Sequence, residues 1–326
     1  MDLIEEEFRL FPFDAPGRLL QRREELLLAE PLRGPGPPRE YAPLPVAHFS
    51  PRYEAGPFTP PRAVVESEHV RVEWQTMDAR QPFYHRNCGV DELSYQVDGD
   101  RTVITEWGSV DVEPGDFTRL PDGVAHDNLG RRDIHLLFYV PGPAVQLLPS
   151  SRRAEVRIPP FPGWQPATIN ELVTQGLAGP GQDQVMAPAD EQLLLEHARS
   201  HEGRLAVVRP EARSEGVTWV YRATEIMVGH AYASRCAGRR YVRHGNADEM
   251  QYQLAGKRML LTQRGCVELV PGDVICIPRG VAFTSVHDEG STHLVVASTR
   301  HLPLVAPATR TAKRLAPDEL RSLPGR

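Results

Sequence analysis

Between Glu92 and Glu113 the chain alternates apolar and polar positions in three short runs, ELSYQV, RTVITEW and SVDVE. The breaks between them are Asp98-Gly99-Asp100 and Gly108, and Pro114-Gly115-Asp116 closes the series. A two-residue period over runs this short, with turn residues between them, predicts strands of an antiparallel sandwich or small barrel. The pattern then returns. Segment 84–126 lies without gaps over 241–283, an offset of 157 residues, and 18 of the 43 aligned positions are identical. The matches include Asp91/Asp248, Glu92/Glu249, Tyr95/Tyr252, Gln96/Gln253 and Gly99/Gly256. So long an offset indicates a duplicated domain rather than a solenoid of small units.

Five segments follow from this repeat. Residues 1–60 form an arm with a predicted helix over 17–30 and a proline-rich stretch, PLRGPGPPREYAPLP. Residues 61–140 form the first barrel, 141–203 a connection with a short helix near 190–199, and 204–305 the second barrel. Residues 306–326 are a basic tail, predicted as a short helix from Asp318 and a solvated end. Arms of this kind cover sheet edges or dock on a second copy of the chain, which makes a homodimer the expected assembly.

Composition narrows the class without changing the fold. Apolar residues make up 40% and charged residues 25% of 326, as in an ordinary globular protein. A formal charge of −6 gives no footing for nucleic acid or an anionic membrane. The start MDLIEEEFRL lacks the pattern of a secretory signal, and no run approaches a membrane span. Four cysteines, Cys88, Cys236, Cys266 and Cys276, show neither metal-type spacing nor a disulfide framework, so a reduced, cytoplasmic protein is expected.

The first copy carries candidate metal ligands. His85 is followed by Asn87 two positions later and Glu92 seven later; Gly115, Pro121, Gly123 and His126 come downstream. On a strand, His85 and Asn87 face the same side. Glu92 can return on the next strand, with Ser94 and Gln96 on its face. Pro121 and Gly123 make a tight turn that presents His126 to the same interior. Two imidazoles and one carboxylate leave about three positions open on an octahedral ion, the arrangement of non-haem Fe(II) oxygenases. The second copy has Val242 for His85, Phe283 for His126 and His244 for Asn87, and keeps Glu249. It is expected to hold no metal and to serve as structure or as a pocket wall, unless His287 completes a rearranged site with His244 and Glu249. His135 and His293 recur in the last strand of each copy, which indicates packing, and Cys88 is expected to be a small buried residue.

These two motifs resemble the paired motifs of the cupin superfamily. The resemblance implies an all-β chain of two cupin (double-stranded β-helix, jelly-roll) barrels with an N-terminal arm and a few short helices. Asn87 stands where many cupins have a second histidine; its amide can be a weak ligand, a partner for a metal-bound water or a substrate contact. The string FYHRNC, with the acidic residue after it, is similar to the metal-binding stretch of homogentisate 1,2-dioxygenase. That resemblance implies Fe(II) at His85, Glu92 and His126, and cleavage by O2 of a small hydroxylated aromatic substrate. Asn87 and Gln96 are the inward-facing candidates for catalytic roles. Arg86, Tyr95 and Trp107 are further candidates near the site in sequence, although parity turns Arg86 and Tyr95 away. Two other classes stay open: a Mn-, Ni- or Zn-dependent isomerase, lyase or hydrolase, and a non-catalytic small-molecule-binding bicupin.

Overall fold

The computed structural model describes residues 3–29, 41–56, 60–177, 184–201 and 203–326. The chain divides into two compact units. One comprises 51–212 with 219–224 and contains the first barrel; the other comprises 1–50, 213–218 and 225–326 and contains the second.

Two long strands, Val90–Thr105 and Ala125–Pro141, organise the first barrel. They pair antiparallel along nearly their whole length, from His126↔Thr105 to Pro141↔Val90. The predicted break at Asp98-Gly99-Asp100 is therefore not a hairpin turn. The strand bends there, opposite a register shift between Arg131 and Ile134, and changes neighbours while both halves stay in one eleven-stranded sheet. Gly99 makes the bend feasible: its φ is 63°, and a Cβ would sit 1.9 Å from the Arg132 carbonyl oxygen. Gly256 stands at the matching place in the second barrel, between the strands Asp248–Ala255 and Arg258–Thr262, at φ 70°, and a Cβ there would sit 2.2 Å from the Gly290 carbonyl oxygen.

Beyond the bend each half-strand recruits different neighbours. On one side lie Phe117–Leu120, Arg71–Met77 and Arg62–Glu66. On the other lie Gly108–Val112, Tyr84–Cys88 and, from the connection, the hairpin of Thr168–Gln175 and Gln184–Asp190. The predicted helix near 190–199 is present as Glu191–Glu196, continued by a 3₁₀ turn at His197–Ser200. Asp190 caps it by accepting from Leu193 N at 3.1 Å. Its Leu194 and Leu195 pack on Tyr84 and Ile104, so the connection buttresses the outer face of the Tyr84–Cys88 strand.

The second unit repeats this plan with the chain's own beginning. Leu3–Arg9 runs parallel to Arg240–His244, as Thr168–Gln175 runs parallel to Tyr84–Cys88. A hairpin follows, then a short helix whose buried first glutamate accepts from a barrel tyrosine: Tyr241 to Glu24 at 2.7 Å, Tyr84 to Glu191 at 3.3 Å. Each barrel is thus edged by the arm that precedes the other barrel in sequence.

Two expectations change here. The helix predicted over 17–30 is the strand Arg18–Arg23 followed by a helix confined to Glu24–Leu28. Leu3–Arg9 offers a free edge, and pairing from Leu3↔Arg23 to Phe8↔Arg18 satisfies it; tertiary pairing outweighs local helical preference. The tail is not a solvated end. Its helix, Pro317–Arg321, buries Leu320 among Ile4, Leu27 and Tyr241, and the Arg326 guanidinium pairs with buried Glu24. A buried carboxylate needs such a cation, and Arg80 supplies it to Glu191 in the first barrel. The proline-rich stretch lies outside the described residues through position 40. Among the described residues, no helix is long and apolar enough to cross a membrane, and all four cysteines are free thiols.

Candidate metal centre

Three strands meet at the site. His85 and His126 are register partners on adjacent strands, and their ring centroids stand 5.4 Å apart. Glu92 enters from Val90–Thr105, and its Oε2 lies 3.5 Å from His126 Nε2. One donor atom from each of the three falls within 4.8 Å of the others, close to the spread that one ion about 2.1 Å from each donor requires. The Pro121–Gly123 turn fixes His126: Val124 N donates to Pro121 O at 3.2 Å, and Gly123 N donates to Asn87 O at 2.7 Å. Arg86 ties this turn down from outside through the Gly123 carbonyl, Glu106 and Glu171.

The donor set fits a cation. Burial pushes both imidazoles down to about 4, aided at His85 by His126 and at His126 by Arg101 and Arg86. Both are then neutral near pH 7, the form that binds a metal, and the approach of His126 to Glu92 is not an ion pair. His126 Nδ1 is buried without a hydrogen-bond partner. Asn87 and Thr174 complete the setting. Asn87 Nδ2 donates to Glu92 Oε2 at 2.8 Å, Thr174 donates to Asn87 Oδ1 at 3.1 Å, and His85 Nε2 lies 2.9 Å from the same threonine oxygen. Asn87 therefore orients Glu92, as outer partners orient metal ligands.

The ligands open into a cavity of about 420 Å³. Phe83, Met77, Leu137 and Leu172 give it apolar walls, and Arg71, Glu73 and Tyr139 a polar one. Positions Arg71, Glu73, Gln75 and Met77 alternate along one strand, so all four face inward. Sequence reasoning missed this row. Its alternation was legible, but ordinary patterning would turn Arg, Glu and Gln to solvent. Thr174 was missed as well, because it comes from the connection.

The remaining candidates lie elsewhere. Gln96 is fully buried and does not line the cavity; its amide donates to Asp98 O and to Asp133 Oδ1. Gln253 bonds Ala255 O, Gly256 O and Ser291 in the same way, so this amide closes the bend of each barrel. Tyr95 packs on Phe117, and Trp107 stacks on His201 beneath Arg204. His135 is buried against Asp133, and Cys88 is partly exposed rather than buried. In the second barrel His244 bonds Glu249 at 2.7 Å, while His287 faces the Glu289 carbonyl; the three form no metal-type cluster among the described residues.

No protein-family model matches the chain, and no curated protein matches it. Solved structures with a similar chain course are cupin-fold proteins. The cupin 2 conserved barrel domain protein from Leptotrichia buccalis shares 7% identity at a TM-score of 0.46, over 75% of this chain and 92% of that one. A point mutant of Bacillus subtilis oxalate decarboxylase shares 15% at 0.47, over 82% of each chain. AerE from Microcystis aeruginosa shares 10% at 0.42, over 76% of this chain and 99% of that one. Likeness at this level carries nothing about chemistry. The strand course described above is itself the all-β, two-barrel architecture that the repeat predicts.

Proposed function

We propose that this chain is a mononuclear Fe(II)-dependent dioxygenase acting on a small hydroxylated aromatic compound. The carrying observation is a buried two-histidine, one-carboxylate cluster that opens into a cavity sized for one small ligand. Fe(II) held by His85, Glu92 and His126 would supply Lewis-acid and redox chemistry. The protein contributes position and exclusion. Phe83, Leu137 and Leu172 offer apolar surface to a ring and keep water from the ligands. The Thr174–Asn87–Glu92 chain of hydrogen bonds holds the carboxylate still.

The resemblance of FYHRNC to the metal stretch of homogentisate 1,2-dioxygenase supports iron and an aromatic substrate. An oxygen electrode tests the reading: protein reconstituted with Fe(II) is presented with a panel of dihydroxylated aromatic acids. Uptake that needs both the aromatic and the metal, and vanishes in Glu92→Gln, is the expected result. An iron-loaded protein that consumes no O2 with any of the panel overturns the dioxygenase reading and favours redox-neutral Mn, Ni or Zn chemistry.

A further inference from the structure

The polar lining of the cavity divides into groups that are already committed and groups that are not. Arg71 is paired with Glu73 and bonded to the Leu177 carbonyl, and its Nε is sealed inside the wall. Tyr139 hydrogen-bonds to Glu73 from the other side. Thr174 and Asn87 are taken up in holding Glu92. Gln75 is different. It faces inward from the strand Arg71–Met77, lines the cavity and is 8% exposed, yet its amide bonds to no described residue. Nor is that amide sealed: neither its oxygen nor its nitrogen is closed off as Arg71 Nε is. Asn128 is committed on one side only. Its nitrogen donates to Gln81 Oε1 at 3.4 Å, while its oxygen bonds to no described residue and is not sealed, on a side chain that lines the same cavity.

Both amides stand on the same side of the metal donors. Asn128 comes one inward position after His126, and Gln75 two after Arg71, which is level with Glu92 across Tyr139. Each step leads toward the register shift between Arg131 and Ile134, so the amides line the end of the cavity that lies beyond the ligands. The second barrel shows that the frame does not require them. There the ladder Gln96↔His135↔Gln75 becomes Gln253↔His293↔Ala231, and Asn128↔Val103 becomes Ser285↔Leu260. Alanine replaces one amide, and the serine that replaces the other is taken by Arg258 at 2.8 Å. A barrel that folds with Ala231 has no structural need of Gln75, so the pair belongs with the cavity.

A buried amide without a partner is costly, and one that faces open space is satisfied by what enters that space. Glutamine offers two donors beside an acceptor, and Asn128 adds a second acceptor. The group that matches them carries both a donor and an acceptor and no charge. A carboxylate does not match, because it brings no donor and would stand near Glu73 and Glu92, with the one guanidinium of the lining already spent. We propose that Gln75 and Asn128 form a specificity subsite for an uncharged, carboxamide-like substituent on a ligand whose other end chelates the metal. This subsite rests on the metal-centre reading above, and it adds the chemistry of the part of the ligand that the metal does not touch.

The test uses the full chain loaded anaerobically with Fe(II), with metal content measured on the same samples. Calorimetric titrations compare 3,4-dihydroxybenzamide with 4-methylcatechol, which lacks the amide, and with 3,4-dihydroxybenzoate, which carries a charge in its place. Wild type should bind the amide about tenfold more tightly than either, the margin that one or two neutral hydrogen bonds supply. Gln75→Leu, close in volume, and Gln75→Ala, the residue that the second barrel carries there, should each bring the amide down to the affinity of 4-methylcatechol. Metal content and 4-methylcatechol binding should hold in both, and Asn128→Leu should lose part of the preference. Equal affinities for amide and 4-methylcatechol in metal-loaded wild type, tighter binding of the acid, or an amide preference that survives in both Gln75 variants overturns the subsite alone. A wild type that takes up no Fe(II) overturns the metal centre and the subsite with it.

Discussion

The two barrels share a frame and differ in what fills it. Both turn the chain at a glycine, close that turn with a glutamine amide, clamp the second-motif turn with an arginine and accept an arm strand beside the first motif. In the first, the interior holds His85, Glu92 and His126 around open space. In the second, the equivalent volume is occupied: His244 is bonded to Glu249 and packed between Phe13 and Phe283, with ring centroids 4.7 and 5.7 Å away. A small barrel keeps its frame through backbone pairing and outer packing, so its interior is free to be either a polar, ligand-bearing cavity or a filled core.

The largest expected effect comes from making the first interior like the second. His126→Phe should reduce bound metal from about one ion per chain to none, since the remaining histidine and carboxylate are too few for a tight site. Elemental mass spectrometry reads this directly, and His244→Ala, made in parallel, should change nothing. Metal retained in His126→Phe but lost in His244→Ala would reverse the assignment of the barrels. Next in size is Asn87→Ala, which frees Glu92 without removing a ligand. Metal affinity, read by competition with a chelator, should fall roughly tenfold to a hundredfold while the stoichiometry at saturation holds. An unchanged affinity would show that Asn87 does not orient the carboxylate.

The smallest effect sharpens the shared frame. Gln96→Ala and Gln253→Ala each leave a bend without its amide, and each should cost about 1–3 kcal/mol in chemical denaturation. Neither should alter metal affinity. A loss of activity in Gln96→Ala that exceeds its loss of folded protein would return Gln96 to the catalytic group.

Much of the candidate site was legible because its donor residues sit in local strings. His85, Asn87 and Glu92 fall within eight residues, and the Pro121–His126 turn announces itself by its proline and glycine. The internal repeat alone does not separate frame from function: Gln96 recurs as Gln253 and still reads as an inward-facing catalytic candidate, and only its bonds to Asp98 O and Asp133 assign it to the frame. The cavity's polar wall was not legible. Arg71 and Glu73 sit on an alternating run whose polar positions pattern alone would turn to solvent, Tyr139 lies in the apolar run IHLLFYV, and only pairing across the sheet puts them together. The arms were obscured for a similar reason. EEEFR and ELVTQ share little, and each edges the barrel of the other repeat.

By itself the sequence determined the duplicated all-β frame and singled out His85, Glu92 and His126 as a candidate donor set, because these depend on periodicity and donor chemistry at short range. The tertiary structure decided which charged residues turn inward, that Thr174 and Asn87 hold Glu92, and that the beginning and tail of the chain are built into the second barrel's unit. Those outcomes depend on strand register and long-range pairing, and a strand's alternation states that it has two faces without stating which one the fold will bury.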